Sequence, residues 1–142
     1  MFESCLKKQQ KIKDLFANCP TKEKKYEKII ELGRQLPFFP QQDKTPENFV
    51  KGCQSTMYLT SKLENGLVHF AAESDALISA GLAAILLQVY EGETPETILK
   101  CPPTYLDELG ISASLTPNRA NGLYSIHLRM KQDALNLYMK NA

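Results

Sequence analysis

The sequence lacks tryptophan altogether, has only two histidines, and carries almost no net charge: 17 Lys and Arg stand against 16 Asp and Glu, a formal balance of +1. So even a balance gives no electrostatic reason for a polyanion partner, and nucleic acid is excluded as a first reading. His69 and His127 fall in different elements with no ligand spacing, and both read as structural or surface residues. The longest apolar run, Leu82 to Leu87, is far short of the ~20 residues a membrane span needs. At the N-terminus, Lys7-Lys8 is followed by no apolar stretch, so no signal-peptide pattern is present. These absences lead us to expect a soluble, cytoplasmic protein without a membrane partner. A Gly-rich phosphate loop and a dinucleotide-binding fingerprint are also missing.

What is present is enough apolar material for a real core. The hydrophobic fraction is 43% over 142 residues, a length that fits one domain spanning 1–142. The four cysteines, Cys5, Cys19, Cys53 and Cys101, form no Cys-x-x-Cys pair. Cys5 and Cys19 fall in helix-like sequence and read as small buried hydrophobes. Cys101, before Pro102-Pro103, reads as a loop residue.

Periodicity predicts the elements. Phe2, Leu6, Leu15 and Phe16 give a first helix over 2–17. Thr21 caps a second, with Tyr26, Ile29, Ile30 and Leu36 on one face, which Pro37 and Pro40 then stop. Residues 55–72 instead alternate, and Asn65-Gly66 between the two runs signals a hairpin. Asn48 to Lys51 is the expected source of a third strand, since two strands alone are marginal. Ser74-Asp75 opens a helix to about Tyr90 that is apolar on nearly every face and so belongs at the centre of the domain. Thr94-Pro95 starts a short helix, another ends near Leu109-Gly110, and Thr116-Pro117 starts the last. Leu123, Ile126, Met130, Ala134 and Leu137 form its inward stripe. The order of helices, hairpin and helices predicts an α+β fold, a small antiparallel sheet of about three strands packed with N- and C-terminal helices.

Two positions suggest chemistry. Cys53 lies at the entry to the sheet, directly after Gly52, which accepts backbone angles closed to other residues and leaves the approach to the thiol open. Gln54, Ser55 and local N–H groups can supply donors to a charged sulfur. Such a Gly-Cys pair also fits a turn beside a core cysteine. Arg119, near the third position of the last helix, opposes the helix dipole. It reads either as a solvated surface residue or as part of an anion site for a thiolate, persulfide or carboxylate.

Three boxes resolve these alternatives by resemblance. Val50-Lys51-Gly52-Cys53-Gln54-Ser55 resembles the sulfur-accepting box of the SufE family. The spaced set Phe70, Ser74-Asp75-Ala76, Ile78, Gly81-Leu82 and Ala84, and the stretch Leu115 to Leu123 around Arg119, resemble the boxes that follow it, in the same order. The chain departs from the family in having Tyr58 where a Trp is common and Asn118 where a Ser is common before the arginine. Neither departure is expected to touch the thiol chemistry.

The resemblance implies a fold like that of SufE and the NifU-like cluster scaffolds. It also implies a role as sulfur acceptor, in which Cys53 takes persulfide sulfur from a pyridoxal-phosphate cysteine desulfurase of the SufS kind and stimulates it. Gly52, Gln54, Ser55 and Arg119 support the cysteine, and the sulfur passes on to an iron–sulfur scaffold. On this reading the chain is an accessory carrier rather than an independent enzyme. It binds no cofactor or metal of its own, the pyridoxal phosphate belonging to the partner. A NifU-type cluster scaffold, which needs several converging thiolates, and a non-catalytic desulfurase-binding module are the alternatives.

Overall fold

Helix α1 (Glu3–Ala17) turns Cys5, Gln9, Ile12 and Phe16 inward at spacings of three and four residues, one stripe of a helix. It begins the computed structural model, which describes residues 2–53, 55–111 and 115–140. Helix α2 (Lys22–Arg34) starts where Thr21 Oγ1 accepts a hydrogen bond from the Lys24 amide at 3.1 Å. It ends short of Pro37, and the chain then crosses the surface through two single 3₁₀ turns, Gln41–Asp43 and Pro46–Asn48.

Strands β1 (Met57–Glu64) and β2 (Leu67–Ser74) form an antiparallel hairpin in the register Met57↔Ser74 to Glu64↔Leu67. Its turn is Asn65-Gly66, with φ of 53° and 79°, the positive values that the Asn-Gly pair accepts most readily. Met57, Leu59, Val68, Phe70 and Ala72 occupy the buried face. Among the described residues the sheet has two strands rather than the expected three. Residues 48–51 contribute one bridge, Phe49↔Tyr58, and one hydrogen bond, from the Val50 amide to the Met57 carbonyl at 2.8 Å. Pro46 opens a 3₁₀ turn on one side and Gly52, at φ 91°, bends the chain away on the other, so no longer pairing develops. A second bridge, Val68↔Glu93, covers the opposite edge.

Helix α3 (Leu77–Tyr90) packs against α1, α2 and β2. It begins three residues after Ser74, because Ser74 is still paired with Met57 in the ladder. Its crossing with α2 is close enough for backbone contact. A Cβ on Gly33 would lie 2.6 Å from the Gly81 amide nitrogen, and one on Gly81 would collide with the carbonyl oxygen of Ile29. Helix α4 (Pro95–Lys100) is capped by Thr94 Oγ1, which accepts from the Thr97 amide at 3.2 Å. Helix α5 (Tyr105–Glu108) is a single turn. Helix α6 (Pro117–Lys140) buries Leu123, Ile126, Met130 and Ala134 of the expected stripe, while Leu137, its last member, is partly buried against the core.

Cys5 and Cys19 are buried as expected, but Cys101 is not an ordinary loop residue. It is only 2% exposed and faces α1. Proline ends α4 there without carrying the chain to the surface, because Tyr90 Oη donates to the Cys101 carbonyl at 2.8 Å and holds the segment in the core.

Candidate functional site

The turn at 51–53 is set by its contact with α6. A Cβ on Gly52 would collide with Ser125 Oγ, and the backbone there has φ 91°, so both sterics and conformation call for glycine. The same contact lays Cys53 against the first turns of α6. Cys53 Sγ donates to the Gly122 carbonyl oxygen at 3.8 Å, and a Cβ on Gly122 would stand 3.9 Å from the sulfur. The missing side chain at Gly122 therefore leaves room beside the thiol.

That room is a small pocket of about 10 Å³ lined by Cys53, Ser79, Leu82, Asn118, Arg119 and Gly122, among others. It is about the smallest space that accepts one water-sized group. Burial pushes the Cys53 thiol above its ordinary pKa, so the sulfur rests protonated at neutral pH. Cys53 is half-buried, while Cys5, Cys19 and Cys101 are buried.

The supporting residues divide. Arg119 lines the pocket with Cys53, and its Nη1 donates to Tyr26 Oη at 3.2 Å. Thr116 Oγ1 accepts from the Arg119 amide at 3.3 Å and caps α6. The guanidinium is thus aimed by α2 as well as by its own helix. Ser55 is not a donor to the sulfur: its hydroxyl donates to Ser79 Oγ on α3. Ser74 Oγ donates to the Thr56 carbonyl at 2.7 Å, so these serines fasten the open end of the hairpin to itself and to α3. Gln54 lies outside the described residues.

Of the two departures, Tyr58 is a packing residue, its ring 5.9 Å from Phe49 and 6.3 Å from Phe39 between centroids. Asn118 lines the pocket, so contrary to expectation it does reach the thiol's surroundings, because the first turns of α6 pass beside Cys53. Sequence reasoning missed Tyr26, Ser79, Gly122 and Ser125 as parts of the site. Gly122 gave a signal, since glycine inside a helix costs roughly 1 kcal/mol relative to alanine and its presence marks a close approach. His69 pairs with Glu91 at 2.7 Å, and His127 packs on Tyr90 at 5.6 Å between ring centroids. Neither lines the Cys53 pocket. Among the described residues, no three His, Cys, Asp or Glu side chains are grouped to hold a metal ion. Nor is any described helix long and apolar enough to cross a membrane.

The described residues form an α+β fold in which one of the four thiols, Cys53, is half-buried between a glycine turn and the start of a helix. Residues 10–134 match the family described as "SufE: Fe-S metabolism associated domain", and the chain belongs to that family, which places it in iron–sulfur metabolism. It is 37% identical over 125 residues to an uncharacterised SufE-like protein of Synechocystis sp., covering 88% of this chain and 79% of that one. Its fold is similar to the solution structure of a hypothetical protein from Thermus thermophilus. There the TM-score is 0.77 at 24% identity, over 93% of this chain and 96% of the other.

Proposed function

We propose that this protein is a sulfur acceptor and carrier, with Cys53 as the residue that holds the sulfur as a persulfide. Membership of the SufE family implies interaction with a cysteine desulfurase, and a pyridoxal-phosphate enzyme of the SufS kind is the donor in this reading. The observation that carries it is the contrast among the four thiols: Cys53 alone is half-buried and beside a pocket, and the other three are buried.

In the transfer, the Cys53 thiol loses its proton and the resulting thiolate attacks the outer sulfur of the desulfurase's cysteine persulfide. A new S–S bond forms at Cys53, the S–S bond on the desulfurase breaks, and the desulfurase cysteine leaves as a thiolate that takes up a proton. The sulfane sulfur changes partner with no net oxidation. Because burial favours the protonated thiol, attack requires the 51–53 turn to present Cys53 to the partner. Once loaded, the pocket between α3 and α6 offers the outer sulfur a sheltered place, with Arg119 and Ser79 on its wall. A receiver, an iron–sulfur scaffold in this reading, then takes the sulfur by the same exchange.

A single thiol suits a carrier better than a cluster scaffold, which needs several thiolates converging on iron. Mass spectrometry after incubation with a desulfurase and cysteine tests the assignment. One added sulfur on the Cys53 peptide, lost in Cys53→Ser, is the expected result. Sulfur mainly on Cys19 or Cys101, or undiminished desulfurase stimulation by Cys53→Ser, would overturn it.

A further inference from the structure

On the α1 and α4 side of the core lies a second thiol site that sulfur transfer does not use. Cys5, in the first turn of α1, is fully buried, and Cys101, just after α4, is 2% exposed. Gln9, itself only 3% exposed, points its amide between them: Nε2 lies 3.7 Å from Cys5 Sγ and 3.6 Å from Cys101 Sγ, and donates to the Pro102 carbonyl at 3.1 Å. Two sulfurs 96 positions apart in sequence thus share one amide donor. Packing alone does not call for this arrangement, because an alanine and a leucine would fill such a place without a buried polar amide that needs partners.

We infer that Cys5 and Cys101 are a latent disulfide pair, a modification site that a small-molecule disulfide such as oxidised glutathione closes, joining the start of α1 to the segment after α4. One thiol loses its proton and attacks a sulfur of the glutathione disulfide, releasing one reduced glutathione and leaving a mixed disulfide. The second thiol loses its proton and attacks the protein sulfur of that mixed disulfide, releasing the second glutathione. Two protein thiols are oxidised by two electrons, and one disulfide is reduced to two thiols.

The fold supplies the route for the oxidant. Helix α1 starts at Phe2 in a left-handed conformation without a side-chain cap, so its first turn is the part of the helix most ready to open. Against that, Lys8 Nζ binds Glu93 Oε2 at 2.6 Å and the Glu91 carbonyl at 2.7 Å, and Ser4 Oγ donates to Glu93 at 2.9 Å. Burial pushes the Cys5 thiol up to about 12, so the closed state reacts slowly and oxidation proceeds through this opening.

The test uses full-length protein carrying Cys53→Ala, so that the half-buried thiol does not capture the oxidant. It is incubated with oxidised glutathione under native conditions, quenched by alkylation and mapped without reduction. We expect a peptide linking Cys5 to Cys101, two reduced glutathiones released per chain, and a rise in Tm on the order of 10 °C, from the long loop closed, that a dithiol reductant reverses. Adding Cys101→Ser should abolish both the link and the rise, and the mapping stands by itself should that variant fold poorly. The inference is overturned by glutathione retained on a single cysteine with no cross-link. It is equally overturned if both thiols stay free under oxidant that fully oxidises the denatured chain.

Discussion

Cys53 Sγ donates to the carbonyl oxygen of Gly122 across 69 residues of sequence, at 3.8 Å, so the thiol is held by a helix backbone at a position without a side chain. The space beside the sulfur is therefore a property of Gly122 as much as of the turn that carries Cys53. That relation separates folding from sulfur handling.

Gly122→Ala should leave stability unchanged or raise it by up to about 1 kcal/mol, since alanine is the better helix former. The new methyl lies at ordinary contact distance from the resting sulfur, 3.9 Å, but takes the room a second sulfur needs. Thermal melts should show no loss, while persulfide retained on Cys53 after desulfurase treatment should fall. Normal retention would mean that the outer sulfur does not lodge there.

Gly52→Ala should destabilise by roughly 1–3 kcal/mol, because φ is 91° and the added Cβ meets Ser125 Oγ. Combining it with Ser125→Ala should recover the steric part and leave the backbone strain. Denaturant melts of the double-mutant cycle measure this coupling; strict additivity of the two changes would refute the contact.

Arg119→Ala should barely move Tm. It removes the hydrogen bond to Tyr26, worth about 1 kcal/mol, and relieves an unfavourable charge at a helix start, worth about 0.3–1 kcal/mol. Desulfurase stimulation should nevertheless drop. Tyr26→Phe should give a milder version of the same loss, since the guanidinium stays but is less firmly aimed. A large fall in Tm with normal stimulation per folded molecule would make Arg119 structural.

Alkylation of Cys53 in the free protein should follow a pH profile displaced above that of an unhindered cysteine, since burial raises its pKa. The linked stability has a definite sign. The folded state prefers the protonated thiol, so its contribution is complete below the unfolded-state pKa and is lost as pH rises through the folded value. His127 acts at the other end. Burial, and then Lys131, hold it down to about 4, so its contribution is complete above the ordinary value of 6.5 and disappears as pH falls toward 4. His127→Phe, which keeps a ring against Tyr90, should flatten the acid side of a Tm–pH curve and leave the alkaline side alone.

Near-neighbour chemistry in the chain specified the local geometry. The Asn65-Gly66 turn, the caps at Thr21 and Thr94, and the stripe from Leu123 to Ala134 were all legible, because turn chemistry and helical or strand period act between near neighbours. It also singled out Cys53 and Arg119, through a glycine and a charge in unusual places. What these residues touch follows from the packing of distant elements. The Phe49 segment makes a bridge instead of a strand because Pro46 and Gly52 bend it at both ends. Ser55 turns to Ser79 rather than to the sulfur, Arg119 reaches Tyr26, and Cys101 meets Gln9 beside Cys5. Those partners lie between 24 and 93 positions away in sequence. No period reaches that far, and the pairings follow from how α1, α2 and α6 are laid around α3 as the core closes.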